Sequence, residues 1–350
     1  MFPILSGCAS EIRSDERIDS ALIIDIETSK DFLQESITSN PEIQDNYYRL
    51  AEILIDENNW DESLKVLQKY RGEHSEKYLC LLIENLARAG EMAKATELSS
   101  SLDGSSPEVL YVKSLVNFKS QNNTASLDYV NRAIGLDGGN AKYFQLKANV
   151  LLSIEDTISA VENFRIATNK ENIRPRGYYD FIHLLLHIQD DNEADSISSL
   201  GLKHYPGSDL IQLANAEVKI SSEDYQKAKE ILWSINGPEL FIPAKQLLLP
   251  IYFNSRTYDS VLLVSDNILT IDNHNREARL YAARSKDRLR KFEEAEKEYM
   301  KLKEFDTTDA IVNAELVKLQ RKMRYLRDLK RKERLYRDVS PLQPEISTTP

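Results

Sequence analysis

Glycine and proline are scarce in this 350-residue chain, 11 of each, roughly half their usual share. A fold that needs many tight turns, such as an all-β sandwich or barrel, is excluded on that ground. Cysteine is scarcer still. Cys8 and Cys80 are the only two, too few and too far apart for a disulfide scaffold or for a zinc site, which needs clustered ligands. Long apolar runs are missing as well: Phe181 to Ile188 is broken by His183 and His187 and falls short of the roughly 18 to 20 residues that cross a bilayer. Basic residues number 45 against 56 acidic ones, a formal net charge of −11. No nucleic-acid partner is expected of such a chain, because phosphate contacts require a cationic surface.

Catalytic signatures are absent too. Neither G-x-x-x-x-G-K-[ST] nor G-x-G-x-x-G occurs, nor does G-x-S-x-G, so nucleotide and serine-nucleophile chemistry have no recognisable site. His183 and His187 stand four apart, the spacing that puts two imidazoles on one helix face. Leu184, Leu185 and Leu186 lie between them, leaving no glutamate base and no third ligand, so no metal site is expected. Carboxylates are abundant but unpaired as acid and base. The chain is therefore expected not to be an enzyme and to need no cofactor.

What the chain does have is repetition. A small residue recurs eight times in the same local context, at Ser63, Ala95, Ser126, Ala160, Ala194, Ala228, Val261 and Ala295, in steps of 31 to 34. A bulky residue lies three positions before most of these anchors, as at Trp60, Met92, Tyr225, Tyr258 and Phe292. Apolar pairs at helical spacing precede them, among them Leu50 and Ala51, Leu82 and Ile83, Phe181 and Ile182, Leu248 and Leu249, Ala282 and Ala283. Each unit reads as two helices and a turn.

The pattern resembles the tetratricopeptide repeat, with its period near 34 and small residues where paired helices approach closely. That family's closing proline is matched at Pro107 and Pro206, and Gly138, Asn172, Asn273 and Thr307 hold the equivalent place elsewhere. The resemblance implies an all-α fold: a right-handed superhelical solenoid of about eight helix-turn-helix repeats with a concave inner face lined by the first helices. It implies a surface for protein partners rather than chemistry. The repeats span 44–308. Asn236, Gly237, Pro238 and Pro243 are expected to interrupt any helix, and Pro250 to weaken the next, so regularity should fail near 236–252.

The ends differ in charge. Residues 1–62 hold 15 acids and 4 bases, whereas 318–337 hold 10 bases and 2 acids. Ala310 to Arg337 reads as one helix with Leu316, Leu319, Met323 and Leu326 in a stripe, giving a basic capping helix over 309–338 and a disordered tail over 339–350. Its basic patch comprises Arg321, Lys322, Arg324, Arg327, Lys330, Arg331, Lys332 and Arg334. Three uses are open to it: a solvated cap, docking against the acidic first units or a neighbouring molecule, and contact with anionic lipid or polymer.

At the start, Leu5-Ser6-Gly7-Cys8 resembles the lipobox of bacterial lipoproteins, which implies diacylation at Cys8. Residues 1–8 would then be a signal remnant and 9–43 an acidic tether with a possible helix. Only Phe2 to Leu5 precede the motif, so this reading expects a start upstream of Met1 with a basic and apolar leader. It implies periplasmic, outer-membrane-anchored localisation and a role in assembling an envelope machine such as a pilus or secretion system. The alternative is a cytosolic adaptor or co-chaperone. Large immunophilin co-chaperones have a similar basic last helix, but their carboxylate clamp matches only Asn149, with Gln145, Leu210 and Ala214 standing where cations belong. Setting each unit in register places Tyr48, Tyr111, Leu115, Phe118, Gln145, Asn149, Tyr179, His183 and Phe253 on the inner side as a candidate peptide-binding row.

Overall fold

Each helical hairpin of the chain is set by a few residues before its anchor. In a computed structural model, which describes residues 26–56, 59–72 and 75–339, the residue five before the anchor has positive φ in seven units: Gly90, Gln121, Glu155, Gln189, Glu223, Arg256 and Arg290. That left-handed residue ends the first helix. The next residue caps the second in five units, where Asn59, Asn122, Asp156, Asp190 and Asp224 accept from a backbone N–H three positions on.

The result is eighteen helices and no strand among the described residues. Eight pairs follow one another: α2 (Gln44–Asp56) with α3 (Trp60–Lys69), α4 (Glu76–Arg88) with α5 (Met92–Ser101), and α6 (Pro107–Lys119) with α7 (Asn123–Leu136). Next come α8 (Ala141–Ser153) with α9 (Thr157–Thr168), α10 (Pro175–His187) with α11 (Asp191–His204), and α12 (Asp209–Ser221) with α13 (Tyr225–Ser234). The last pairs are α14 (Pro238–Asn254) with α15 (Tyr258–Ile271) and α16 (Arg276–Arg288) with α17 (Phe292–Phe305). Helix α1 (Ile26–Ser39) packs on α2 through Leu33, and α18 (Ala310–Val339) packs on α17. The fold is thus the all-α tetratricopeptide type.

All eight anchors are 0% exposed, and so are the residues twelve before them: Ala51, Ile83, Ser114, Ala148, Ile182, Ala216, Leu249 and Ala283. Two columns of buried residues therefore join each first helix to its second. Where both members are serine the backbones come close enough for reciprocal bonding: Ser126 Oγ donates to Ser114 O at 3.0 Å while Ser114 Oγ lies 2.9 Å from Ser126 O. Between pairs, Phe164 stacks on Phe181 at 5.4 Å and 11°.

The contacts divide the chain into two compact units, residues 1–231 and 232–350. Two sequence expectations need correction, one in each unit. Pro243 does not break the chain's helix. α14 starts with Pro238 in its first turn and runs through Pro243 and Pro250 for 17 residues, whereas the other seven first helices are each 13 long. Each internal proline removes one hydrogen bond, and apolar burial of Ala244, Leu248 and Leu249 holds the helix regardless. Pro107, expected to close a unit, instead opens α6 at its first turn, where a missing N–H is harmless.

The expected C-terminal helix is present. Val312, Leu316 and Leu319 are buried against α16 and α17, and Met323 is partly covered. From there on the helix leaves that core, and all eight residues of the basic patch are exposed. Lys322 alone among them is held in an ion pair, 2.7 Å from Asp287, among the described residues.

Candidate functional site

Seven of the nine residues expected on the inner side meet at one place. Tyr111, Leu115, Phe118, Gln145, Asn149, Tyr179 and His183 all line a cavity of about 810 Å³ in the first unit, walled by α4, α6, α8 and α10. These are first helices, and they stand side by side because the buried columns face the second helices. A smaller chamber of about 450 Å³ adjoins it toward α2 and α4, and the two share Tyr111, Lys142 and Arg174.

The waist between the chambers is built from buried charge. Glu84, on α4, is 2% exposed. Its Oε1 accepts from the Tyr111 hydroxyl at 2.9 Å and lies 2.9 Å from Arg88 Nη2, while Oε2 lies 3.5 Å from Lys142 Nζ. Burial alone would raise this carboxyl, but Lys142, Arg88 and the donated hydroxyl hold it down at about 2. Burial, reinforced by Glu84, pushes the Tyr111 phenol up to about 12. Lys142 is raised: burial works against its charged form, and Glu84 and Glu52 outweigh it.

Arg174 reaches from the start of α10 to Glu52 on α2, 2.5 Å away across 122 residues of sequence. Burial would raise Glu52, yet Arg174, Lys142 and Lys77 leave it below the ordinary carboxylate value. Side chains from α2, α4, α6 and α8 are thereby tied to the entry of α10. On the far side of the larger chamber Arg176 pairs with Asp180 at 2.8 Å. Burial raises Asp180 even so, against Arg176 and Arg88. His183 packs on Tyr179 with ring centroids 4.2 Å apart and places Nε2 2.8 Å from Glu217 Oε2, an ion-pair distance without hydrogen-bond alignment.

Two expected residues are elsewhere. Tyr48 is 1% exposed and belongs to the core around α1, α2 and α4, its hydroxyl 2.8 Å from Ser75 Oγ. Ser75 and Lys77, whose Nζ lies 5.1 Å from the ring centroid, pack on it at that end of the row. Phe253 lies in the second unit, edge-on to Tyr258 and Tyr281 at 5.5 Å each. Cys8, the signal remnant over 1–8 and the tether as far as residue 25 lie outside the described residues, and so do 340–350 of the tail expected over 339–350, whose first residue, Val339, ends α18 instead.

Sequence reading missed the charged half of the site: Glu52, Glu84, Arg88, Lys119, Lys142, Arg174 and Arg176. Partial signals existed, since Glu52 and Glu84 each stand eleven residues before an anchor, the position also held by Leu115, Asn149 and His183. Gly177 was also missed. A Cβ there would come within 1.9 Å of Gln145 Nε2 and 2.9 Å of Ile173 Cγ1, so glycine lets the Gln145 amide lie against α10.

No protein-family model matches this sequence, and no curated protein matches it. Among solved structures the chain is similar to one in the crystal structure of the APC/C hetero-tetramer Cut9–Hcn1, with TM-score 0.59 and 12% identity over 84% of this chain. The match takes in 59% of that longer chain. It is also matched to the tetratricopeptide domain of P58(IPK), at 15% identity and a TM-score of 0.30, covering 89% of this chain and 97% of that one. The first likeness establishes the fold.

Proposed function

We propose that this protein is a non-catalytic interaction scaffold that holds an extended segment of a protein partner in the groove of its first unit. The observation that carries the reading is the convergence of Phe118, Asn149, Tyr179 and their neighbours on one cavity of about 810 Å³. Aromatic and amide side chains suit a peptide: tyrosine offers a large contact area at small entropic loss, and amides meet the backbone of an extended chain. Selection of displayed random peptides on the full chain, with Tyr179→Ala/Phe118→Ala as counter-target, tests it. Peptides that bind wild type about tenfold more tightly than the double variant support the groove; a selection that returns only peptides indifferent to those changes refutes it.

Localisation is proposed from sequence. Leu5-Ser6-Gly7-Cys8 supports a lipoprotein acylated at Cys8, placed in the periplasm at the outer membrane and assisting a pilus or secretion assembly. The exposed basic stretch of α18 supports added contact with anionic lipid, since an acyl chain and a polybasic segment together anchor better than either alone. Mass spectrometry of the native protein decides it. A diacylated cysteine as the first residue supports the lipoprotein, and an unmodified Cys8 in a protein starting at Met1 leaves the cytosolic adaptor.

A further inference from the structure

We infer that the groove of the first unit is charge-polarised and takes a peptide segment whose own charge is split, its cationic part seated in the smaller chamber and its acidic part in the larger. This inference rests on the proposed peptide-holding function and adds the chemistry and direction of the ligand.

The two chambers carry opposite fields. Four carboxylates and three cations line the smaller one, and five cations and two carboxylates the larger. At the shared waist the charges are spent on one another, Arg174 on Glu52 and Lys142 on Glu84. Beyond the waist the surplus is left at the ends. In the smaller chamber Glu76 and Glu108 are exposed and make no ion pair among the described residues, while Lys77 lies 3.8 Å from Asp45. In the larger chamber Lys119 is exposed and makes none among the described residues, and its neighbours Arg88 and Arg176 pair with Glu84 and Asp180.

Two groups at opposite ends report those fields. The Cys80 thiol is pushed up to about 12 by burial and by Glu76, Glu108 and Glu84. The Lys119 ammonium is pushed down by burial and by Arg88 and Arg176. A second observation points the same way: each chamber is walled by a buried polar group that the protein leaves unmet. Among the described residues, Tyr143, 1% exposed, lines the smaller chamber with a hydroxyl that meets no partner in full hydrogen-bond geometry, and Gln145 Nε2 is likewise unmet in the larger. Walls with an unmet polar group and surplus charge favour a polar, ionic ligand over an apolar one.

The test uses the full chain and labelled synthetic peptides of about twelve residues, roughly 40 Å when extended, read by fluorescence anisotropy at low and high salt. One has a lysine-rich half and a glutamate-rich half joined through tyrosine and leucine; others replace every charge by glutamine or make both halves acidic. The split peptide should bind best and weaken with salt. Glu108→Lys should weaken it about tenfold and be rescued by turning the lysine half acidic. Lys119→Glu should weaken it likewise and be rescued by turning the acidic half basic. Both residues are exposed, so both variants should fold, and circular dichroism checks that. Equal binding of the neutral peptide, still sensitive to Tyr179→Ala, overturns the polarity while leaving the peptide-holding function standing. Tighter binding of the all-acidic peptide also overturns it. If none of the peptides binds and selection finds no groove-dependent ligand, both readings fall together.

Discussion

Replacing Glu84 by glutamine should destabilise the first unit by about 3 kcal/mol at neutral pH, and the loss should fade on acidification. The carboxylate is 2% exposed and is gripped by Arg88, Tyr111 and Lys142. Its folded value is about 2, against about 4.3 in an unfolded chain. Each unit of that depression corresponds to about 1.4 kcal/mol of preference for the ionised form. Because the folded state gives up this proton more readily than the unfolded one, the contribution is complete above the unfolded value. It is lost as pH falls through about 2.

Glutamine imitates the protonated side chain, so wild type and Glu84→Gln should converge in acid. The expected difference is about 3 kcal/mol at pH 7 and about 1 kcal/mol near pH 3. Paired urea titrations at the two pH values measure it. Hydrogen exchange of the amides in α4 to α8 keeps the reading local, since repeat arrays do not always unfold in one step. A loss below about 1 kcal/mol at pH 7 would refute the reasoning, because the cluster would then behave like a solvent-screened surface pair. An equal loss at both pH values would refute it differently, by showing that packing and not charge set the effect.

Glycine at the non-glycine left-handed turns, Gln121, Glu155, Gln189, Glu223, Arg256 and Arg290, should stabilise by about 0.5 kcal/mol each, as relief of about 1 to 2 kcal/mol of strain outweighs the added freedom of the unfolded chain. Thermal unfolding of the six single variants and their combination should show the gains adding up. Lys245→Met should destabilise the second unit by about 3 kcal/mol in urea unfolding, because Nζ is buried and donates to the carbonyls of Leu232, Trp233 and Ile235 while lying 4.6 Å from the Trp233 ring. Ala148→Leu should lose about 1 to 3 kcal/mol through overpacking at a residue with 0% exposure. Asn149→Leu, one position along, should change stability by less than about 0.5 kcal/mol and alter ligand binding instead.

The fold was legible because its signal is repeated. Eight anchors in register identify the helix pairs, and the 0% exposure of every one follows from the same small side chains that made them visible. The misreadings come from positions used once. Pro243 reads as a breaker, but local propensity yields to the burial of Leu248 and Leu249. Lys245 carries no mark in the sequence, yet it closes the end of α13, where the last carbonyls and the helix dipole both favour a cation. Tyr48 obeys the register and is nonetheless buried, packed beside Ser75 and Lys77 in a core that also takes in Leu33 of α1. The site was half legible for a related reason. Register finds which side chains share a face, so Tyr111, Gln145 and Tyr179 emerged together. Pairing across the groove, such as Arg174 with Glu52, depends on how successive units turn and leaves no local mark.

The columns of the array also explain where specificity can reside. The positions at the anchor and twelve before it are 0% exposed in all eight units, and any change there acts on packing first. The position eleven before the anchor adjoins that column on the first helix yet carries Glu52, Glu84, Leu115, Asn149, His183, Glu217, Pro250 and Arg284 in turn. A column whose chemistry varies beside one that is buried in every unit lets the row change charge from unit to unit, although Glu84 and Leu115 are themselves buried and also serve the packing. In the first unit that variation sets two carboxylates at one end, an apolar and an amide side chain in the middle, and a histidine facing Glu217 beyond. A ligand reading this column meets a different chemistry every repeat, so a fold made of equal parts can hold an unsymmetrical segment in one direction.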